Sequence, residues 1–174
     1  HRTSLDGVDN PIVVGGQIGS AVPRAGGGYI VGLTDRVALL DADGAPSGHV
    51  LVEAGIGNAR MNDGKVDPEG RFFTGTMTHG DTISAFYRVE ADLRVSTVFH
   101  DIGISNGLDW NLDHTELYYI DTPTGRVDIC DYDRTTGEEE NRRPFIEIPD
   151  GDGHPDGMTV DADGCLWVAF FDGW

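Results

Sequence analysis

One phrase recurs along this chain and constrains its fold more than any other feature. It is an apolar residue, a turn of acidic or glycine residues, and then a strand rich in aromatics. It reads Val66-Asp67-Pro68-Glu69-Gly70-Arg71-Phe72-Phe73 and again Val160-Asp161-Ala162-Asp163-Gly164-Cys165-Leu166-Trp167. A looser copy runs from Trp110 through Asn111 and His114 to Tyr119, and a glycine-rich one from Val22 through Gly28 to Ile30. With Tyr29, Phe72, Leu117 and Leu166 as equivalents, the steps are 43, 45 and 49 residues. A chain that repeats itself at this period is built of stacked units, none of which can bury its apolar faces alone.

Between these copies lie further short apolar runs, at Val37 to Leu40, Ala85 to Val89 and Val127 to Tyr132, each followed by a turn such as Asp41-Ala42-Asp43-Gly44. Sustained helical periodicity is almost absent. Each unit therefore holds about four short strands, which predicts an all-β chain with the period of β-propeller blades. An immunoglobulin-like sandwich would also supply many short strands, but not one phrase at a near-fixed spacing. About four blades' worth of sequence fits in 174 residues. The expectation is a single domain over 1–174, an incomplete propeller lacking its N-terminal and C-terminal blades, with a closed four-bladed ring as the competing arrangement.

Charge narrows the functions. Thirty acidic side chains against twelve basic ones give a formal net charge of −18. Such a surface repels phosphate backbones and anionic lipid heads, and the basic residues are too scattered to form a compensating patch. Nucleic-acid and membrane partners are not expected. No run approaches the length of a membrane-spanning helix. Cys130 and Cys165 have neither a CxxC spacing nor the density of a disulfide scaffold, so they read as two buried small hydrophobes in a reducing, cytoplasmic setting.

The chemistry falls on one register. Asn62 lies eight residues before Gly70, Asp156 eight before Gly164, and Asn106 eight before His114, while the same offset in the first unit reaches the small Ser20. Taken singly, Asn-Asp-Gly, Asn-Gly and Asp-Gly are ordinary turn sequences, because these residues tolerate positive φ. Three at one register, each just ahead of a channel-lining strand, point instead to side chains converging on the propeller axis. Amide and carboxylate oxygens suit a hard cation better than a thiolate-loving metal. The expectation is one divalent ion, Ca²⁺ first, with Mg²⁺, Mn²⁺ and Zn²⁺ as alternatives.

Several segments then carry a resemblance: Arg60-Met61-Asn62-Asp63-Gly64-Lys65-Val66-Asp67-Pro68 with Gly75-Thr76-Met77, Ser105-Asn106-Gly107-Leu108-Asp109-Trp110, Tyr119-Ile120-Asp121, Asn141-Arg142-Arg143 and Pro155-Asp156-Gly157-Met158. In this order they resemble the regucalcin (senescence marker protein) and gluconolactonase family across essentially the whole chain. The resemblance implies a six-bladed propeller that hydrolyses sugar lactones with one divalent metal in its channel. It places metal ligands on Asn106 and Asp156, gives Asp156 the role of general base, and makes Arg60 and Asn62 substrate-binding residues. The implied chemistry is coherent: a cation polarises the lactone carbonyl while a carboxylate deprotonates water, and a guanidinium fork with an amide suits sugar hydroxyls. The family's third metal ligand, a glutamate in a Glu-Gly-Pro segment, has no counterpart here. The loop through His79, Gly80 and Asp81 offers no clear match for an acidic substrate contact.

Two readings of different class remain, a metal-dependent sugar lactonase and a non-enzymatic propeller that binds calcium or another ligand. Arg60, Asn62, Asn106 and Asp156 favour the enzyme, because a scaffold has no need of a carboxylate, two amides and a guanidinium on one channel rim. Lys65 reads as a structural strand residue, Glu138-Glu139-Glu140 as a solvated hairpin turn, and Asp150-Gly151-Asp152-Gly153-His154 as a solvated loop without the spacing of an EF-hand. No GxSxG, HExxH or GxGxxG motif is present. Oligomeric state leaves no mark on the sequence.

Overall fold

The computed structural model describes residues 2–3, 9–53, 55, 57–78 and 84–173, with the side chains of residues 1–10 left aside. The loop through His79, Gly80 and Asp81 lies outside the described residues. Within them the chain is all-β. A hairpin of β1 (Arg2–Thr3) and β2 (Asp9–Asn10) precedes three four-stranded antiparallel sheets. The first is β3 (Ser20–Pro23), β4 (Tyr29–Gly32), β5 (Arg36–Leu40) and β6 (Pro46–Leu51). The second is β7 (Ala59–Val66), β8 (Phe72–Thr78), β9 (Ser84–Val89) and β10 (Val95–Ile102). The third is β11 (Ser105–Trp110), β12 (Glu116–Asp121), β13 (Arg126–Asp133) and β14 (Glu138–Glu147). A final pair, β15 (His154–Val160) and β16 (Leu166–Phe171), follows. Each sheet is a simple meander in chain order, and β3, β7, β11 and β15 lie side by side as the inner strands, the arrangement of propeller blades. The expected strands at 37–40, 85–89 and 127–132 are the third strands of their blades.

The recurring phrase is the hairpin between first and second strands, and its acidic or amide residue is a cap. Asp67 Oδ1 accepts the backbone N–H groups of Glu69 and Arg71 (3.0 and 2.8 Å), and Asp161 Oδ1 those of Asp163 and Cys165 (both 2.9 Å). Asn111 Oδ1 does the same for Thr115 and Glu116 at 2.8 and 3.1 Å. The chain then needs a left-handed residue to reverse direction, and Gly28, Gly70, His114 and Gly164 all have positive φ.

Alternation along each strand sends side chains to both faces of a blade, and both faces are covered. Leu117 and Tyr119 of β12 join Phe73, Phe86, Leu108, Trp110 and Tyr132 between the second and third blades. Tyr118 and Ile120 of the same strand face the last pair, packing with Met158, Val160, Leu166 and Val168. This two-sided burial explains why Leu117-Tyr118-Tyr119-Ile120 reads as a continuous apolar run. Rings interlock at the blade junction, with Phe73 edge-on to Trp110 (centroids 5.4 Å apart) and Phe86 tilted on Tyr119 (4.6 Å).

Polar side chains close the same junction. Asp67, buried, holds Arg71 Nε at 2.5 Å and accepts the Tyr132 hydroxyl at 2.5 Å, while Arg71 donates to the Arg134 carbonyl at 2.5 Å. Asp128, only 1% exposed, is clamped between Arg126 and Arg142, both at 2.7 Å, and the Arg142 guanidinium lies over the rings of Phe99 (4.8 Å) and Tyr119 (5.0 Å). Two expectations fail here. Glu138 and Glu140 are exposed, but Glu139 is turned inward on β14 and its Oε1 is buried without a partner. Cys130 is buried as expected, but Cys165 is exposed, and neither forms a disulfide.

Candidate functional site

The inner strands share an irregularity that the register offset does not reveal. β7 pairs Met61 with Thr76 and then Gly64 with Thr74; β11 pairs Ser105 with Asp121 and then Leu108 with Tyr119; β15 pairs Pro155 with Phe170 and then Met158 with Val168. In each, three residues advance against two on the partner strand, which is a one-residue β-bulge. The first residue inside the bulge is Asn62, Asn106 or Asp156. These residues therefore lie within the inner strands rather than in loops that enter them, at the point where a bulge re-aims side chains. β3 pairs with β4 without interruption from Ser20 to Pro23, and Ser20 is packed against Gly32 and Gly64. The inner strand of the first blade therefore has no bulge and contributes no comparable group.

Contacts between neighbouring inner strands bring the predicted residues together in sequence. Arg60 Nη1 donates to the Met61 carbonyl and to Asn62 Oδ1, both at 3.0 Å. Asn62 Nδ2 donates to the Ser105 carbonyl at 2.8 Å, one residue before Asn106. Asn106 Nδ2 donates to Thr122 Oγ1 at 3.0 Å, and that hydroxyl donates to the Pro155 carbonyl at 2.8 Å, one residue before Asp156. Each bulge residue is thus tied to the backbone just ahead of the next. Packing of β11 on β15 is close enough that a Cβ at Gly107 would fall 2.6 Å from the Asp156 carbonyl oxygen. Only glycine fits there.

Asp63 joins these residues, although the sequence register does not single it out. It occupies the second bulge position, where the other two blades carry Gly107 and Gly157. Its carboxyl is held above the ordinary carboxylate range by burial first, with the nearby Asp156 charge adding to the effect and the Gly64 N–H and Lys65 opposing it. Three residues past each bulge residue, Lys65, Asp109 and Thr159 form a second ring. Lys65 pairs with Asp109, which also accepts from Thr159 Oγ1 (3.1 Å) and from the Val160 N–H (2.8 Å). Lys65 is a structural tie between three inner strands, as its position suggested, and the register that located Asn62 would have located its partners.

Among the described residues the Asn106 side-chain oxygen has no protein donor on it and Asp156 makes no side-chain hydrogen bond, while Asp63 lies near enough for the Asp156 charge to be felt by its carboxyl. This donor set fits a hard divalent cation, which oxygen ligands and concentrated negative charge both favour. It is a partial set: among the described residues no three His, Cys, Asp or Glu side chains converge as metal ligands.

The sequence pattern described as the SMP-30/Gluconolactonase/LRE-like region matches residues 1–174. The chain belongs to this family. It is 41% identical over 170 residues to regucalcin of Xenopus laevis, covering 93% of this chain and 57% of that protein. Among solved structures it superimposes on a luciferin-regenerating enzyme with a TM-score of 0.83 at 39% identity, over 92% of this chain and 57% of the other. It also matches a structure from Agrobacterium tumefaciens described as a calcium-binding protein, regucalcin, with a TM-score of 0.84 at 27% identity, over 91% and 55% of the two chains. The family chain therefore spans little more than half the length of the relatives it matches. Among the described residues no helix is long and apolar enough to cross a membrane.

Proposed function

We propose that this chain carries part of the channel of a sugar lactonase, in a propeller completed to six blades by segments beyond those present here. Membership of a gluconolactonase family supports a lactonase-type activity. The observation that carries the finer reading is the triple bulge, which sets Asn62, Asn106 and Asp156 at one level of three adjacent strands. Asn106 and Asp156 would hold one divalent cation, Ca²⁺ by the chemistry of the donors and by the description of the Agrobacterium relative. When bound, such an ion supplies a Lewis acid for the lactone carbonyl.

The chain's own residues account for the rest. Arg60, which already bonds Asn62, holds that amide in place and offers its remaining N–H groups to sugar hydroxyls or the emerging carboxylate. Asp156 takes a proton from water as its oxygen adds to the carbonyl carbon; the ring C–O bond then breaks, and the proton leaves with the sugar hydroxyl. The substrate is a small sugar lactone. The low number and wide spacing of the cysteines suit a reducing, cytoplasmic setting.

The test is hydrolysis of glucono-1,5-lactone, followed by pH change, for this chain and for one completed at both ends, with and without divalent metal. Metal-dependent turnover by the completed chain is expected. Asp156→Ala should lower that rate by roughly 10²–10⁴-fold with the fold intact. Retention of more than about a tenth of the rate would remove Asp156 from the base role. Metal binding with no turnover of any aldonolactone would favour the calcium-binding scaffold.

A further inference from the structure

A buried amide looks the same from either end, so what it offers a ligand depends on what fixes its orientation. Asn106 is 7% exposed, and its neighbour Thr122 begins the short 3₁₀ turn Thr122–Thr124 that follows β12. Thr122 is itself locked in place. Its N–H donates to the Ile104 carbonyl at 3.1 Å, and the preceding Asp121 carboxylate accepts the N–H groups of Gly103 and Ile104 at 3.1 and 3.0 Å.

The hydroxyl of Thr122 has one proton. It lies 2.8 Å from the Pro155 carbonyl oxygen, which can only accept, so the proton is committed there. Toward Asn106, 3.0 Å away, Thr122 can then offer only a lone pair. The amide must turn its NH₂ to Thr122, which leaves its carbonyl oxygen for the channel. With a donor in place of Thr122 the amide would turn the other way and present N–H groups, which repel a cation.

We infer that Thr122 is the positioning residue that sets the polarity of Asn106, and that it couples this orientation to the backbone leading into Asp156. This rests on the cation reading proposed above for Asn106 and Asp156. One hydroxyl determines both how the amide oxygen faces and where the next strand's carboxylate begins. Outer partners that orient ligands in this way typically affect metal affinity by about 10–100-fold.

Two measurements on the 174-residue chain separate this inference from the reading beneath it. In ¹⁵N-resolved spectra, the Asn106 side-chain amide is identified by its loss in Asn106→Asp. It should show a nuclear Overhauser contact to the Thr122 methyl, shift and exchange faster in Thr122→Val, and stay in place in Thr122→Ser. An amide signal indifferent to Thr122→Val overturns the inference. Calorimetric titration with CaCl₂ should then find Thr122→Ser within about threefold of the unmodified chain and Thr122→Val about 10–100-fold weaker. Equal affinity in Thr122→Val also overturns it. If the unmodified chain and Asp156→Asn are alike in taking up no Ca²⁺ while the amide signals behave as expected, the cation reading fails and the orientation by Thr122 stands.

Discussion

Glu139 shows how far one side chain can depart from the character of its neighbours. Burial pushes its carboxyl up to about 7, against the pull of Arg88 and Arg71 and with the Glu138 charge adding to the rise. Because the folded value exceeds the unfolded one, the fold retains a proton that the unfolded chain has already lost. Stability is therefore full below the unfolded value and falls as pH climbs toward the folded one. Between about pH 5 and about pH 8 this group should cost on the order of 1–3 kcal/mol, and Glu139→Gln should abolish that part of the slope. Urea midpoints at the two pH values measure it; an unchanged slope in the variant would place the effect elsewhere. Asp128 is the opposite case, a buried charge fully compensated by two arginines. Arg142→Ala leaves it half-paired and uncovers Phe99 and Tyr119, so unfolding free energy should drop by about 2–4 kcal/mol. Arg142→Lys, which keeps the charge without the planar fork, should recover only part of that loss in the same urea titration.

At the scale of strands and turns, what could be read from the sequence is what is local. The hairpin caps and their left-handed residues were legible because Asp67, Asn111 and Asp161 act within five positions of themselves. Eight residues back from each turn lie the bulge residues Asn62, Asn106 and Asp156 for the same reason, since a hairpin carries its register with it. The bulges were not legible: an extra residue in one strand leaves no trace until its partner strand is known. Asp63 was hidden among ordinary turn residues, and Thr122 reaches Pro155 across 33 positions that no local pattern connects. Glu139 was misread because three consecutive acids look solvated, whereas a strand turns alternate residues to opposite faces. The second bulge position supplies the test at this scale. Gly107→Ala would press a methyl against the Asp156 carbonyl, where backbone must move. A loss of about 1–3 kcal/mol is expected by urea titration. Gly157→Ala, whose Cβ meets nothing within 4 Å, should cost well under half as much.

Across the whole molecule two forces oppose each other, and the repeat that announced the fold sets both. Blades bury apolar faces against neighbours, and among the described residues β15 and β16 pack toward the third blade. Trp167 is 64% exposed and Phe171 69%, on the face of β16 opposite to Leu166 and Val168, which pack toward the third blade. Exposed aromatic side chains on one strand face favour contact with a second copy. The net charge of −18 works against it, since two copies approaching face to face bring like charges within reach of one another. Which force wins depends on screening. At about 20 mM salt the repulsion extends well beyond 10 Å, and at about 500 mM it is confined to a few ångströms, while apolar attraction is not weakened by salt. Sedimentation velocity should therefore show a weight-average mass that rises with ionic strength, contrary to the behaviour of an assembly held by ion pairs. Phe171→Asp adds a charge to the same face and should hold the chain near its monomer mass at both salt concentrations. A mass indifferent to salt would mean that this face is not what copies of the chain recognise in one another, and a mass that fell with salt would transfer the contact to the arginine and carboxylate pairs along the outer strands.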